Sequence, residues 1–232
     1  MKKVAETLGI LGAGKLGTVL GQLAVAAGYN VLIAGSGSKE KIELTVETLV
    51  PQAVPTTAAV ACQQADTIIL ALPLGKYLTL SPSALAGKTV IDAMNYWWEV
   101  DGPRPDLTDP HRSSSELVAA FLKKSHVVKA FNHIGYHDLF DEPRPHGQAG
   151  RKAVAIAGDE QKYVEKAAEL VERFGFDPVY AGPLAAGIRM EPGSAVFGAN
   201  VAADELKKLL ADFEKTKRGK EVFLARKKAE RN

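Results

Sequence analysis

The sequence predicts an α/β protein built on a doubly wound, mostly parallel sheet. Three observations carry this. Short apolar runs alternate with amphipathic stretches along most of the chain. The runs are apolar almost throughout, as expected for strands covered on both faces. A glycine-rich turn links the first run to the first helical stretch.

The first run is Glu6–Leu11, and residues Lys15–Ala27 follow with Leu16, Leu20, Leu23 and Ala27 at helical spacing. Tyr29–Ala34 is the second run, stopped by Gly35. Ser38 is placed as N-cap of a helix through Leu49, with Ile42, Val46 and Leu49 on one face. Thr67–Leu72 is the third strand, ended by Pro73, and Lys88–Asp92 the fourth. Ser113 and Glu116 stand at capping-box spacing before a helix over Glu116–Lys124. His126–Ala130 is the fifth strand. Strands and helices in this alternation form parallel βαβ units.

A smaller α/β portion is expected after the Pro- and His-rich segment Asp141–Gly150, which divides the chain at 1–145 and 146–232. It holds a strand at Lys152–Ala157, an amphipathic helix at Glu160–Phe174 ended by Gly175, and a short strand at Asp177–Tyr180. A helix over Ser194–Phe213 and a charged, solvated continuation to Asn232 complete it.

Composition narrows the function. Of the 232 residues 46% are apolar and 24% charged, which excludes a disordered tail, a collagen-like rod and a disulfide scaffold. The net charge of +2 lacks the basic excess of a nucleic-acid binder, and the basicity sits after residue 203, where ten basic residues meet six acidic ones. The single cysteine, Cys62, fits a reducing cytosol and reads as a structural thiol. The stretch Leu8–Gly28 could suggest a leader or a membrane span, but Lys15, Gln22 and six glycines interrupt it. The expectation is a cytoplasmic protein with no nucleic-acid or membrane partner; a homodimer is left open.

The glycine turn is Gly12-Ala13-Gly14-Lys15-Leu16-Gly17, a G-x-G-x-x-G between a strand and a helix. In that context it is a dinucleotide fingerprint of the Rossmann type, with phosphates at the helix N-terminus. Gly12 permits the tight turn, Gly14 lets a pyrophosphate approach the backbone, and Gly17 lets helix and strand pack closely. An NAD site usually ends its second strand with an acid that bonds the ribose 2′-OH. Here the chain reads Gly35-Ser36-Gly37-Ser38-Lys39, and no carboxylate comes before Glu40. Ser36 and Ser38 can donate to a 2′-phosphate and Lys39 can offset its charge, which argues for NADP(H). Ser38 serves equally as a helix cap.

Five stretches then follow in order: Gly9–Gly17, Ala34–Ser36, Ala65–Pro73, Gly87–Asn95 and Val127–Asn132. Gly158-Asp159, Phe174–Pro178 and Ala181–Leu184 continue the pattern. Together, over about residues 6–200, they resemble the coenzyme F420-dependent NADP oxidoreductases, whose fold is shared by the reductase domain of the STEAP metalloreductases. The resemblance implies hydride transfer between NADP(H) and a flat acceptor, coenzyme F420 or a flavin, at the strand carboxyl ends. It maps the 2′-phosphate serine onto Ser36, places Leu72 and Pro73 against the cofactor, and sets Asn95, Asn132 and His133 around the nicotinamide. The family's arginine after that serine is Gly37 here, and Lys39 is expected to supply the charge instead.

Tyr96, Trp97 and Trp98 stand where the acceptor would dock, either stacking on it or packing within the protein. No catalytic acid or base is assigned, because a deazaflavin or flavin acceptor requires none. Two other readings stay open: a reductase of an imine, ketone or ferric chelate, for which His133 or Tyr136 would donate a proton, and a non-catalytic NADP(H) sensor. His133 and His137, four apart, could share a metal only on a helix; the segment reads as a loop and no metal site is assigned.

Overall fold

The computed structural model describes residues 6–229. In chain order the elements are β1 (Thr7–Leu11), α1 (Lys15–Ala26), β2 (Asn30–Ala34), α2 (Glu40–Leu49), β3 (Val54–Thr56), α3 (Ala58–Gln64), β4 (Thr67–Leu70) and α4 (Pro82–Leu85). Then come β5 (Thr89–Asp92), α5 (Trp98–Asp101), α6 (Ser114–Phe121), β6 (His126–Lys129) and α7 (Tyr136–Asp141). The chain closes with β7 (Ala153–Ala157), α8 (Gln161–Arg173), β8 (Asp177–Gly182), α9 (Ala203–Ala211) and α10 (Lys217–Ala229).

Among the described residues eight strands form one sheet in the order β3-β2-β1-β4-β5-β6-β7-β8. Every pairing is parallel except β6 with β7, which meet antiparallel at Lys129 and Ala157. The doubly wound sheet expected from the sequence is thus present, and β7 and β8 extend it past residue 145. Strand order reverses between β1 and β4, and the crevice beyond their carboxyl ends is where such sheets bind ligands.

Helices cover both faces, which is why Ile10, Ile33, Ile69, Ile91 and Val128 pack with α1 and α8 residues in one core. Ile68, Leu70 and Val90 face a second core with α3 and α6. The capping box is present: the Ser113 hydroxyl accepts from Glu116 N and the Glu116 carboxylate accepts from Ser113 N.

Several expectations need correction. The helix at the second strand starts at Glu40, with Lys39 at the N-cap position and no side-chain cap, so Ser38 is not the cap. No helix spans 194–202; α9 begins only at Ala203. Gly193 and Gly198 there have φ of +90° and +83°, and Gly198 N donates to His133 O while Ala153 N donates to Val201 O. The segment's backbone is tied to the loop after β6 and to the start of the interior strand β7, and not into a helical ladder. The charged tail is a separate helix, α10, after a turn at Phe213–Lys215; residues 230–232 of it lie outside the described residues. His137 lies on the short helix α7, not in a loop, and Gly135 is its N-cap. The segment 50–65, unassigned from sequence, holds β3 and α3.

Candidate dinucleotide cleft

The crevice at the switch point opens into a cavity of about 860 Å³, a size suited to a small-molecule ligand. Its floor is the glycine turn. Gly12 N donates to Ala34 O and Ala71 N donates to Leu11 O, each at 2.8 Å, which ties the turn to the ends of β2 and β4. Gly12 has φ +129°, and a Cβ there would meet Ala71 O at 2.2 Å. A Cβ on Gly17 would meet Gly12 O at 1.8 Å. These two glycines make the turn and its packing possible.

Gly14 differs. It is the N-cap of α1, its φ is −84°, and a Cβ there would meet nothing within 4 Å. Its bareness leaves space for a ligand and none for protein. The first turn of α1 has neither a side-chain cap nor an acidic residue. Its N–H groups at Lys15, Leu16 and Gly17 are therefore left for an external anion. This arrangement fits the pyrophosphate of a dinucleotide. The Lys15 ammonium turns away to the Tyr136 hydroxyl at 3.2 Å and lies 5.3 Å from that ring's centre.

Of the residues singled out from the sequence, Gly12, Gly14, Ser36, Leu72 and Pro73 line the cleft together, with Gly35 and Gly37. Sequence reasoning missed the far wall: Ala58 and Cys62 of α3, and Lys76, Thr79 and Ser81 after Pro73. Cys62 is 4% exposed, and burial pushes its thiol pKa up, with Lys88 opposing. Ser38 and Lys39 are exposed and do not line the cavity. Their neighbour is Glu40: its carboxyl is held below the usual range first by a hydrogen bond from the Ser38 side chain and then by its own backbone amide, with Lys39 adding to the effect.

Beyond Pro73 the ends of β5 and β6 carry an amide pair. Asn95 Nδ2 donates to Asn132 O at 2.7 Å, and Asn132 Nδ2 donates to Asn95 Oδ1 at 3.1 Å and to Met190 O at 2.7 Å. Asn132 Oδ1 is buried without a partner among the described residues. The turn that delivers it is strained: Phe131, fully buried, has φ +63°, a left-handed conformation unusual for a bulky residue.

Beneath the pair, Asp92 and Lys129 face each other in register, both 0% exposed, with Nζ to Oδ2 at 3.3 Å. Lys129 also donates to Met94 O at 2.8 Å and Ser114 Oγ at 3.2 Å, and Asp92 accepts from Ser115 Oγ and Met94 N. The loop that presents Asn95 is thereby fixed from below.

His133 does not reach the cleft. It is 1% exposed, and its Nε2 accepts from Ala155 N at 2.9 Å. Burial pushes its pKa down to about 4, with the Val196 backbone opposing. A neutral, sealed imidazole cannot donate a proton to a substrate, which removes it as a nicotinamide contact or acid. Trp97 and Trp98 are 45% and 66% exposed, so neither is core; the Trp97 ring meets Phe197 edge-on at 5.6 Å. Among the described residues no group of three His, Cys, Asp or Glu could hold a metal, and no helix is long and apolar enough to cross a membrane.

Comparison with known proteins agrees with the resemblance read from the sequence. Residues 7–96, from β1 through the loop after β5, match the family "NADP oxidoreductase coenzyme F420-dependent". Metalloreductase STEAP3 of Rattus norvegicus is 29% identical over 197 residues, 82% of this chain, and the chain spans 36% of that protein's length. The crystal structure of a hypothetical protein SMa0349 from Sinorhizobium meliloti superposes with a TM-score of 0.72 at 27% identity, covering 85% of this chain and 95% of that one. An imine reductase from a Pseudomonas species shares the fold at a TM-score of 0.54 and 15% identity, covering 89% of this chain and 61% of that one.

Proposed function

We propose that this chain, which matches the F420-dependent NADP oxidoreductase family over residues 7–96, is an NADP(H)-dependent oxidoreductase that passes a hydride to a flat acceptor such as coenzyme F420 or a flavin. The observation that carries this is the bare Gly14 at the uncapped N-terminus of α1, opening on a cavity of about 860 Å³ with no acid at the end of β2. NADPH, when bound, supplies the hydride, and the protein supplies binding and orientation.

The backbone N–H groups of Lys15, Leu16 and Gly17 hold the pyrophosphate, with Gly12 shaping the turn. Ser36, at the end of β2, donates to the 2′-phosphate. Leu72 and Pro73 form an apolar wall that keeps water from the cofactor. The Asn95–Asn132 pair ties the ends of β5 and β6 together at the nicotinamide end, where the half-buried Asn95 and not the sealed Asn132 faces the cofactor. No general acid is required of the chain, in keeping with the sealed His133. Positioning is then the main catalytic device. Trp97, exposed beyond Asn95, offers a face on which an acceptor ring can stack.

The likeness to a metalloreductase favours a second reading, in which a ferric chelate is the acceptor. Single-turnover mixing of the protein and NADPH with F420, FMN, FAD or a ferric chelate tests both. Prompt loss of nicotinamide absorbance with reduction of F420 or a flavin supports the first. Reduction of the chelate alone supports the second, and no oxidation by any acceptor moves the protein to an NADP(H) sensor.

A further inference from the structure

The loop after β5, which carries Trp97, is fastened to the turn Leu74–Thr79 after β4. Pro73 before that turn and Lys76 and Thr79 within it line the cleft. One half-buried carboxylate makes the join. Gly75 N donates to Asp101 Oδ1 and Trp97 N donates to Asp101 Oδ2, each at 3.0 Å. The two oxygens thus serve two loops, which leave the neighbouring strands β4 and β5. Asp101 N in turn donates to Trp97 O at 2.7 Å, closing the single turn of α5 on the tryptophan backbone.

Further contacts brace the join. Arg104 Nη1 donates to Gly75 O at 3.5 Å, so segment 96–104 takes both polar groups of the Gly75 backbone. Asp106 holds the Arg104 guanidinium by two hydrogen bonds, at 2.9 and 2.7 Å. The Tyr96 hydroxyl donates to Gly102 O at 2.8 Å and accepts from Arg104 N at 3.3 Å. A Cβ on Gly75 would meet Asp101 Oδ1 at 2.6 Å, so the carboxylate rests in the space that the glycine leaves. Trp97 is 45% exposed and its ring meets Phe197 edge-on, so packing alone does little to fix it. The backbone join does that instead, through hydrogen bonds strengthened by the carboxylate charge.

We propose that Asp101 is a positioning residue, whose carboxylate clamps the loop after β5 to the turn after β4 and so holds Trp97 in place beside the cofactor wall for a flat acceptor. The proposal rests on reading Trp97 as the surface on which the acceptor ring stacks. Asp101 touches neither cofactor nor acceptor; it acts through Trp97.

The test uses the whole chain with NADPH and with F420, FMN or a ferric chelate, taking an acceptor that the wild-type protein reduces. Single-turnover rates against acceptor concentration give an apparent acceptor Kd and a limiting rate, and titration gives the NADPH Kd. The variants are Asp101→Ala, Gly75→Ala, their double and Trp97→Ala. Gly75→Ala keeps the carboxylate but places a methyl group where it sits, and the end of a side chain can move off without unfolding the chain. A misplacement of about 1 Å can cost about 100-fold in rate. Asp101→Ala and Gly75→Ala are each expected to lower the limiting rate about 10- to 100-fold, to weaken the acceptor at least about threefold, and to leave the NADPH Kd within about twofold. The double variant is expected to match the single ones within about twofold, because both break the same contact. In a Trp98→Phe background Trp97 is the sole tryptophan, and its fluorescence anisotropy is expected to fall in both variants. Melting curves check folding; Asp101→Asn, which keeps one acceptor oxygen, is the milder variant and is expected to fall between.

Wild-type rate, acceptor Kd and anisotropy in Asp101→Ala and Gly75→Ala, with Trp97→Ala impaired, overturn the clamp and leave the reading of Trp97 intact. So do effects that multiply in the double variant, or NADPH weakened as much as the acceptor. A Trp97→Ala protein that matches wild type in rate and acceptor affinity overturns the reading of Trp97 and with it the role of Asp101. Oxidation of NADPH by none of the acceptors overturns the hydride-transfer reading itself.

Discussion

Replacing Gly14 and Gly17 in separate variants should split binding from folding, because the same added carbon meets different surroundings at the two sites. At Gly14 a Cβ meets no atom within 4 Å, and the backbone is extended, with φ −84° and ψ −170°. Gly14→Val exchanges a favourable N-cap for a poor one, costing about 0.5–1 kcal/mol. It also restricts the unfolded chain, a gain of about 0.4–1 kcal/mol. The two nearly cancel, and the melting temperature should move by no more than about 2–4 °C. The valine branches occupy the space before the α1 N–H groups, and losing even one hydrogen bond to a charged phosphate costs about 1.5–3 kcal/mol, or roughly 10- to 150-fold in NADPH affinity. At Gly17 the same carbon would sit 1.8 Å from Gly12 O, a backbone atom that cannot swing aside. Gly17→Ala should therefore cost about 3 kcal/mol or more, lowering the melting temperature by at least about 6–12 °C. Paired melting curves and NADPH titrations read both effects. A Gly14→Val protein that melts normally and binds NADPH at wild-type affinity would show that the glycine turn is not the phosphate site.

Three further outcomes follow from the buried polar groups and the exposed aromatics. Lys129→Met leaves the Asp92 carboxylate unpaired at 0% exposure and should destabilise by about 3–5 kcal/mol; adding Asp92→Asn should recover part of the loss in chemical denaturation, and full retention of stability in the single variant would contradict the pairing. His133 has a folded pKa near 4, below its unfolded value near 6.5. Its contribution is therefore present above about pH 6.5 and lost as pH falls toward 4, at about 1.4 kcal/mol per pH unit. A plot of unfolding free energy against pH should be flatter in this window for His133→Gln, and an unchanged slope would refute the assignment. Trp97→Ala should change acceptor affinity and leave NADPH affinity within about twofold by titration; a Trp97→Ala protein unchanged in both would make Trp97 a packing residue against Phe197.

The parts of the fold legible in the sequence are those whose signal is local. The strand, glycine turn and helix at residues 7–26 carry period and punctuation in consecutive residues, and the Ser113–Glu116 box needs only four. What escaped depends on residues far apart in the chain. Nothing near Lys129 says that its ammonium will meet Asp92, 37 residues away across a parallel register. The apolar spacing of 194–202 is helix-like, yet Gly198 N and Val201 O take partners on other elements, and tertiary hydrogen bonds prevail over local propensity. The resemblance sets His133 beside the nicotinamide, but the interior strand β7 lies against it and Ala155 N donates to its Nε2.

The central claim is that the cleft holds NADPH so that its hydride passes directly to a flat acceptor bound beyond Asn95. The most direct measurement is a single-turnover experiment with NADPH deuterated at the transferred position and oxidised F420, following the nicotinamide and deazaflavin absorbances together. The account predicts that both decay with one rate constant, that deuteration slows that rate, and that the label is recovered in the deazaflavin. Bound NADPH that stays reduced in the presence of F420, flavins and ferric chelates alike would contradict it.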